Sequence, residues 1–271
     1  MNQPQSSNPA EMYQRYFVPA MFLPWSRLLL RQAALQPGER VLDVACGTGI
    51  VAREAAALAG AQGQIVALDM NPAMLAVARA LPAVTGAAID WQEGNATAMP
   101  FPDGSFEVVL CQHGLQLIPD REGVAREMRR VLAPGGRVLV MVLQALSLHP
   151  VFEALNEAVA RQLAMPVAAV AAPFSLFDAD ELRNLFSAAG FGSVEVVPVS
   201  TTVHFPEPGR FVPLAVTSSA AAVPAFARLE AEARATLFET IRQEVAATLQ
   251  KYTDGEVVSF PMFAHIAVAS A

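Results

Sequence analysis

The sequence predicts an α/β fold built on a doubly wound, mostly parallel sheet, and three features carry that expectation. Short β-branched apolar runs alternate with helical segments from Glu39 onward. A glycine loop joins the first of these runs to the first helix. An acid, Asp69, closes the second run.

Taken in order, Arg40 to Ala45 is the first strand. It ends in Cys46-Gly-Thr-Gly49, after which Ile50 to Ala59 reads as a helix. Gln64 to Asp69 is the second strand. Asn71-Pro72 then opens a helix through Ala80, since proline suits a first helical turn. Ile89 to Glu93 is a third strand, supported by the alternation more than by its own pattern. The turn Pro102-Asp-Gly-Ser105 announces the fourth, Phe106 to Cys111. Asp120 caps a helix with Val124, Met128 and Val131 on one face. Pro134-Gly-Gly136 turns the chain into the fifth strand, Arg137 to Val142.

Later, Asp178 and Glu181 fit a capping box opening a helix with Leu182, Leu185 and Ala189 inward and Gly190 as its stop. A strand over Val194 to Phe205 and a tail strand over Val257 to Ala269 follow. Between them, Phe226, Leu229, Ala233, Leu237, Ile241, Val245 and Leu249 lay one stripe along a single long helix from Pro224 to Tyr252. No repeat or low-complexity linker interrupts the chain. One elaborated domain over residues 1–271 is therefore expected, with its core at about 36–143, 178–205 and 256–271 and helical lid segments at about 1–35, 144–177 and 206–255.

Composition narrows the chemistry. The 271 residues are 54% hydrophobic and carry a net charge of −7, which gives no broad positive surface for a phosphate backbone and argues against nucleic acid. The single lysine, Lys251, leaves no phosphate loop ending in Gly-Lys-Ser/Thr and no Schiff-base candidate. The histidines, His113, His149, His204 and His265, lie far apart in sequence and no Cys-x-x-Cys occurs, so no metal is expected. No Gly-x-Ser-x-Gly elbow exists either. The greasiest stretches, Phe17 to Leu30 and Ala164 to Phe177, are broken by prolines, and no membrane span is expected. Met1 to Ala10 show no secretory signal, so a cytoplasmic address is the expectation.

The loop Gly47-x-Gly49-x-x-Ala52, with Asp69 one strand away, is a nucleoside site in physical terms. Glycines admit a ligand to the backbone, a helix N-terminus offers amide donors, and the acid accepts from ribose hydroxyls. By itself this loop serves nicotinamide dinucleotides and S-adenosylmethionine equally. The neighbouring residues separate the two. Leu42-Asp-Val-Ala-Cys-Gly-Thr-Gly49, Ala67-Leu-Asp-Met70, Gly94-Asn-Ala96, Pro100-Phe-Pro-Asp-Gly-Ser-Phe106 and Arg126-Glu-Met-Arg-Arg-Val-Leu-Ala-Pro-Gly-Gly136 together resemble the class I S-adenosylmethionine-dependent methyltransferases. They are most similar to the branch holding quinone-ring C-methyltransferases. The resemblance runs over about Pro37 to Val142 and weakly over Asp178 to Phe205. It implies a Rossmann-like sheet of seven strands with one late antiparallel strand.

The resemblance also implies site roles. Asp43 and the loop Ala45, Cys46, Gly47 and Gly49 face the methionyl end of the cofactor, Asp69 the ribose, Met70 one side of adenine, and Asn95 with Ala96 its edge. Cys111 and Gln112 pass beneath the sulfonium. Two positions depart from the family pattern, which has glycine where Ala45 stands and aspartate where Asn95 stands; an amide there binds adenine without charge assistance.

Methyl transfer from a sulfonium is a direct displacement, and positioning two reactants supplies most of its acceleration. His113 is the candidate general base, or else a loop histidine that only touches ligand. His149 follows the fifth strand and could also face the pocket, whereas His204 and His265 read as packed side chains. Cys46 and Cys111 read as reduced, packed thiols. Tyr13, Tyr16, Phe17 and Trp25 are either a helical flap closing on the cofactor or a plain packing cluster. The Ala, Val, Phe and Met of the lid segments suit a small apolar or aromatic acceptor, or a contact between two copies in a homodimer. The Asn/Asp-Pro-Pro-Tyr/Phe of nucleobase methyltransferases is replaced by Cys111-Gln-His-Gly. An NAD(P)-dependent oxidoreductase and a non-catalytic cofactor-binding protein are the alternative readings.

Overall fold

Strand β1 (Arg40–Val44) is the centre from which the sheet is wound: Val41, Leu42, Asp43 and Val44 are all buried, so both of its faces are covered, with Asp43 the one charged group among them. A computed structural model describes residues 8–220 and 223–270. Ahead of β1 run helix α1 (Pro9–Met12), a π-helical stretch (Tyr13–Phe22) and α2 (Leu23–Ala33). Then follow α3 (Ile50–Ala59), β2 (Gln64–Asp69), α4 (Pro72–Ala80), β3 (Ala88–Glu93), β4 (Phe106–Gln112), α5 (Arg121–Val131) and β5 (Leu132–Leu143). The rest comprises α6 (Pro150–Gln162), α7 (Val167–Val170), α8 (Ala179–Ala188), β6 (Ser193–Pro206), α9 (Pro208–Ala220), α10 (Pro224–Ala227), α11 (Ala231–Gln250), β7 (Thr253–Asp254) and β8 (Val257–Ser270).

The sheet order is β3-β2-β1-β4-β5-β8-β6, with the two-residue β7 paired to β8. The first five strands are parallel, and β8 runs antiparallel to β5. This is the mostly parallel Rossmann-like sheet with a late antiparallel strand. Because β1 lies beside both β2 and β4, its neighbouring connections diverge and leave a crevice at the carboxyl ends of these strands.

The chain divides into two compact units. The first is Met1–Leu143, Leu176–Val199 and Ala264–Ala271; the second is Gln144–Ser175 and Ser200–Phe263. The core of the first interleaves Leu42, Val44, Val109 and Cys111 of the sheet with Val124, Met128 and Val131 of α5 and Leu182 and Phe186 of α8. In the second, α6 packs on α11 and α9, around a phenylalanine cluster in which Phe152 meets Phe174, Phe211 and Phe260.

Several local expectations change. The single helix from Pro224 to Tyr252 is two, α10 and α11. Arg234 stacks over Phe226 and donates to the Leu229 carbonyl at 3.0 Å, stabilising a break just before α11. Leu237, Ile241 and Val245 form its buried stripe, while Ala233 is exposed. The Asp178 box is half formed: Asp178 Oδ1 accepts from the amides of Asp180 and Glu181, but the Glu181 carboxylate pairs with Arg121. Pro134 to Gly136 is an irregular stretch within β5, not a turn before it. His149 is buried, its Nδ1 3.0 Å from the Ala145 carbonyl and its Nε2 3.0 Å from the Phe263 amide. Burial holds its pKa below the usual value, and a ring with both nitrogens engaged is a structural pin. His204 is exposed and bonded to Ser259, so it is not a packed residue.

Candidate functional site

The crevice of the first unit is shaped by backbone that most side chains could not follow. Gly47 and Gly49 have φ of 57° and 84°, in the left-handed region open to glycine. A Cβ built on Gly49 would stand 2.2 Å from Trp91 Cη2, so β3 reaches under the start of α3 only because that position has no side chain. On Gly47 a Cβ would meet the Tyr13 ring and hydroxyl at 3.9 Å, ordinary van der Waals contact, so Tyr13 is the side chain that faces the loop there. Ala45 also has positive φ, 56°, where the family pattern has glycine. A methyl side chain is accepted at the cost of left-handed strain.

Two carboxylates set the loop. Asp69 Oδ2 accepts from the Gly47 amide at 2.7 Å and Oδ1 from the Asn71 amide at 2.8 Å, tying β2 to the loop after β1. Each carboxylate oxygen keeps a further lone pair for a hydroxyl. Asp43 is 1% exposed and accepts from the Ala52 amide at 3.0 Å, so it caps α3 from beneath the loop. Burial pushes its carboxyl up to about 8, the Ala52 hydrogen bond opposing this and the Asp69 charge adding to it.

The remaining positions separate into groups. Met70 is 73% exposed at the end of β2. Asn95 Oδ1 accepts from the Thr97 amide at 2.9 Å, so its carboxamide first shapes its own turn, and Ala96 is buried beside it. Cys46 and Cys111 are free, buried thiols, both pushed upward by burial, which makes them small apolar packing groups. Gln112 donates from Nε2 to the Phe22 carbonyl at 3.1 Å. Its Oε1, at the end of β4, and the hydroxyl of Thr48, within the loop, are buried without a hydrogen-bond partner. Unspent buried acceptors at Thr48 and Gln112 and spare lone pairs on Asp69 fit a nucleoside carrying hydroxyl and ammonium donors.

His113 follows β4 with φ of 54°, its amide bonded to Met141 O at 2.8 Å. Its ring lies edge-on to Trp25 at 5.7 Å and 6.1 Å from Phe22. Neither Phe22 nor Gln14, whose Oε1 is another buried unpartnered atom, stands out in the sequence, because nothing local marks a residue brought to the sheet by a helix ninety positions away. Among the described residues no group of His, Cys, Asp or Glu could hold a metal ion, and no helix is long and apolar enough to cross a membrane.

A model of the ubiE/COQ5 methyltransferase family matches residues 20–204. The 2-phytyl-1,4-naphtoquinone methyltransferase of Synechococcus elongatus is 40% identical over 119 residues, covering 43% of this chain and 51% of that protein. The ubiquinone/menaquinone biosynthesis C-methyltransferase UbiE of Hahella chejuensis is also 40% identical over 119 residues, covering 43% and 48%. The chain spans about half the length of the curated relatives it matches. Among solved structures, phosphoethanolamine N-methyltransferase 2 of Haemonchus contortus, in complex with phosphomonomethylethanolamine and S-adenosylhomocysteine, shares the fold. Its TM-score is 0.53 at 18% identity, covering 99% of this chain and 61% of that one.

Proposed function

Because the chain belongs to the ubiE/COQ5 methyltransferase family, we propose that it transfers a methyl group from S-adenosylmethionine to a ring carbon of a reduced quinone-like acceptor. The observation that carries this reading is the Asp69 carboxylate, which holds Gly47 and Asn71 while keeping acceptor capacity toward the crevice. The family match favours S-adenosylmethionine over the dinucleotide that the glycine loop alone would also admit, and the names of the two relatives supply the quinone ring.

When bound, the cofactor supplies a methyl group on a sulfonium, which the acceptor carbon takes in line as the carbon–sulfur bond breaks and its electron pair stays on sulfur. Asp69 accepts from the ribose hydroxyls. Gly47, Gly49 and the first amides of α3 receive the amino-acid end, and Asn95 with Ala96 takes the adenine edge. The phenylalanine and tryptophan rings at His113 exclude water from the end of β4, and His113 accepts, on a ring nitrogen, the proton that the acceptor loses. His113→Ala is expected to lower turnover on a quinol acceptor at least tenfold and to flatten its acid limb. An unchanged rate and pH profile would remove the proton-transfer role.

Asp43 gives the cofactor reading a test without turnover. With its pKa near 8 the free protein holds this carboxyl mostly protonated at pH 7. A ligand ammonium near the loop favours the ionised form, so S-adenosylhomocysteine binding should release up to one proton. Affinity should therefore rise with pH and level off above about 8. Calorimetry at pH 7 in buffers of different ionisation enthalpy measures this. Asp43→Asn should abolish the release, and binding heats independent of buffer would disprove ionisation of Asp43 on binding.

A further inference from the structure

The segment before β1 crosses the crevice as a strap. Helix α1 packs on α4, which follows β2; Tyr13 lies over Gly47, in the loop after β1; and the Phe22 carbonyl takes its hydrogen bond from Gln112 at the end of β4. The strap thus meets three neighbouring strands in sheet order. Beyond Phe22 it is fixed. Arg137 Nε donates to the Ala33 carbonyl at 2.6 Å, closing the end of α2, and the same guanidinium pairs with Glu39 at 2.7 Å. Before Phe22 the Tyr13 ring rests on Phe17 at 6.3 Å and on Phe22 at 5.0 Å, in a π-helical stretch that contains Pro19. Wide helical turns of this kind recur at functional sites.

The Tyr13 hydroxyl is placed against the loop and donates to no other described residue. Burial, with the charges of Asp69 and Asp43, pushes its pKa well above the usual phenol value, so the group stays a donor at any working pH. A donor standing over Gly47, in the loop that leads into α3, suits a carboxylate bound beside that loop at the helix start.

Building on the cofactor reading above, we propose that Tyr13 donates its phenolic hydrogen bond to the carboxylate of the cofactor's amino-acid half. The strap Pro9–Phe22 then closes on S-adenosylmethionine and S-adenosylhomocysteine but not on nucleosides that lack that half. Tyr13 is therefore a selectivity residue, and Gln112 is the hinge anchor that returns the strap to the same place.

The experiment compares S-adenosylhomocysteine with 5′-methylthioadenosine, which keeps adenine, ribose and sulfur but has no amino-acid half. Binding to the full chain is measured by calorimetry, together with amide hydrogen exchange over residues 9–22. Tyr13→Phe keeps the ring stacking and removes only the hydroxyl. It should weaken S-adenosylhomocysteine about tenfold and leave 5′-methylthioadenosine within about twofold, as expected for one hydrogen bond to a charged group. S-adenosylhomocysteine should slow exchange over the strap in the unaltered protein, and 5′-methylthioadenosine should not. Equal S-adenosylhomocysteine affinity in the variant, or an equal loss for both ligands, would overturn the assignment. Failure of the unaltered protein to bind either ligand would instead overturn the cofactor reading, and this inference with it.

Discussion

Asp69→Ala is expected to weaken S-adenosylhomocysteine binding by at least about 100-fold. The side chain does two things at once. It holds the Gly47 and Asn71 amides at 2.7 and 2.8 Å, which fixes the loop, and in the proposed complex it accepts from the ribose. Hydrogen bonds to a charged group contribute about 1.5–3 kcal/mol each, so losing the ribose contacts alone accounts for a factor near 100. The Gly47 amide is also left without its acceptor, so the melting temperature should fall by several degrees. Asp69→Asn retains one acceptor oxygen and should fall between the two. 5′-Methylthioadenosine, which has the same ribose, should lose affinity by a similar factor, in contrast to its indifference to Tyr13→Phe. An affinity for Asp69→Ala within threefold of the unaltered protein would remove Asp69 from the site.

Gly49→Ala should be among the most destabilising single-methyl additions to the first unit, by roughly 2–5 kcal/mol in urea unfolding. Left-handed strain supplies about 1–2 kcal/mol. The new methyl meets the Trp91 ring at 2.2 Å, and relieving that overlap costs about 1–3 kcal/mol more. The two contributions separate in a Trp91→Ala background, where the same substitution should cost only the strain. Ala45 is the internal comparison: it already holds a methyl group at φ of 56°. A Gly49→Ala protein as stable as the original would mean that β3 does not press against the start of α3.

Much of this was legible in the sequence. Alternating apolar runs and turn residues located β1, β2, β4 and α3 to within a residue, because each is specified by neighbours a few positions away. Asp69 and the glycines were legible for the same reason: a strand, a tight turn and a helix start place them together whatever the remainder of the chain does. The break between α10 and α11 was not, since Arg234 reaches across a turn that an apolar stripe does not encode. Glu181 looked like a cap because its partner Arg121, sixty residues away, was invisible at that distance.

The sequence by itself therefore determined the sheet, the loop and the acid that faces it, all of them products of short-range sterics and hydrogen bonding. Only the tertiary structure decided what surrounds them. It buried Asp43 under α3 and raised its pKa, turned His149 into a pin between two backbone segments, set His113 against Trp25 and Phe22, and laid Tyr13 over Gly47. Those are consequences of burial and of contacts between residues far apart in the chain, and both arise only once the elements have packed.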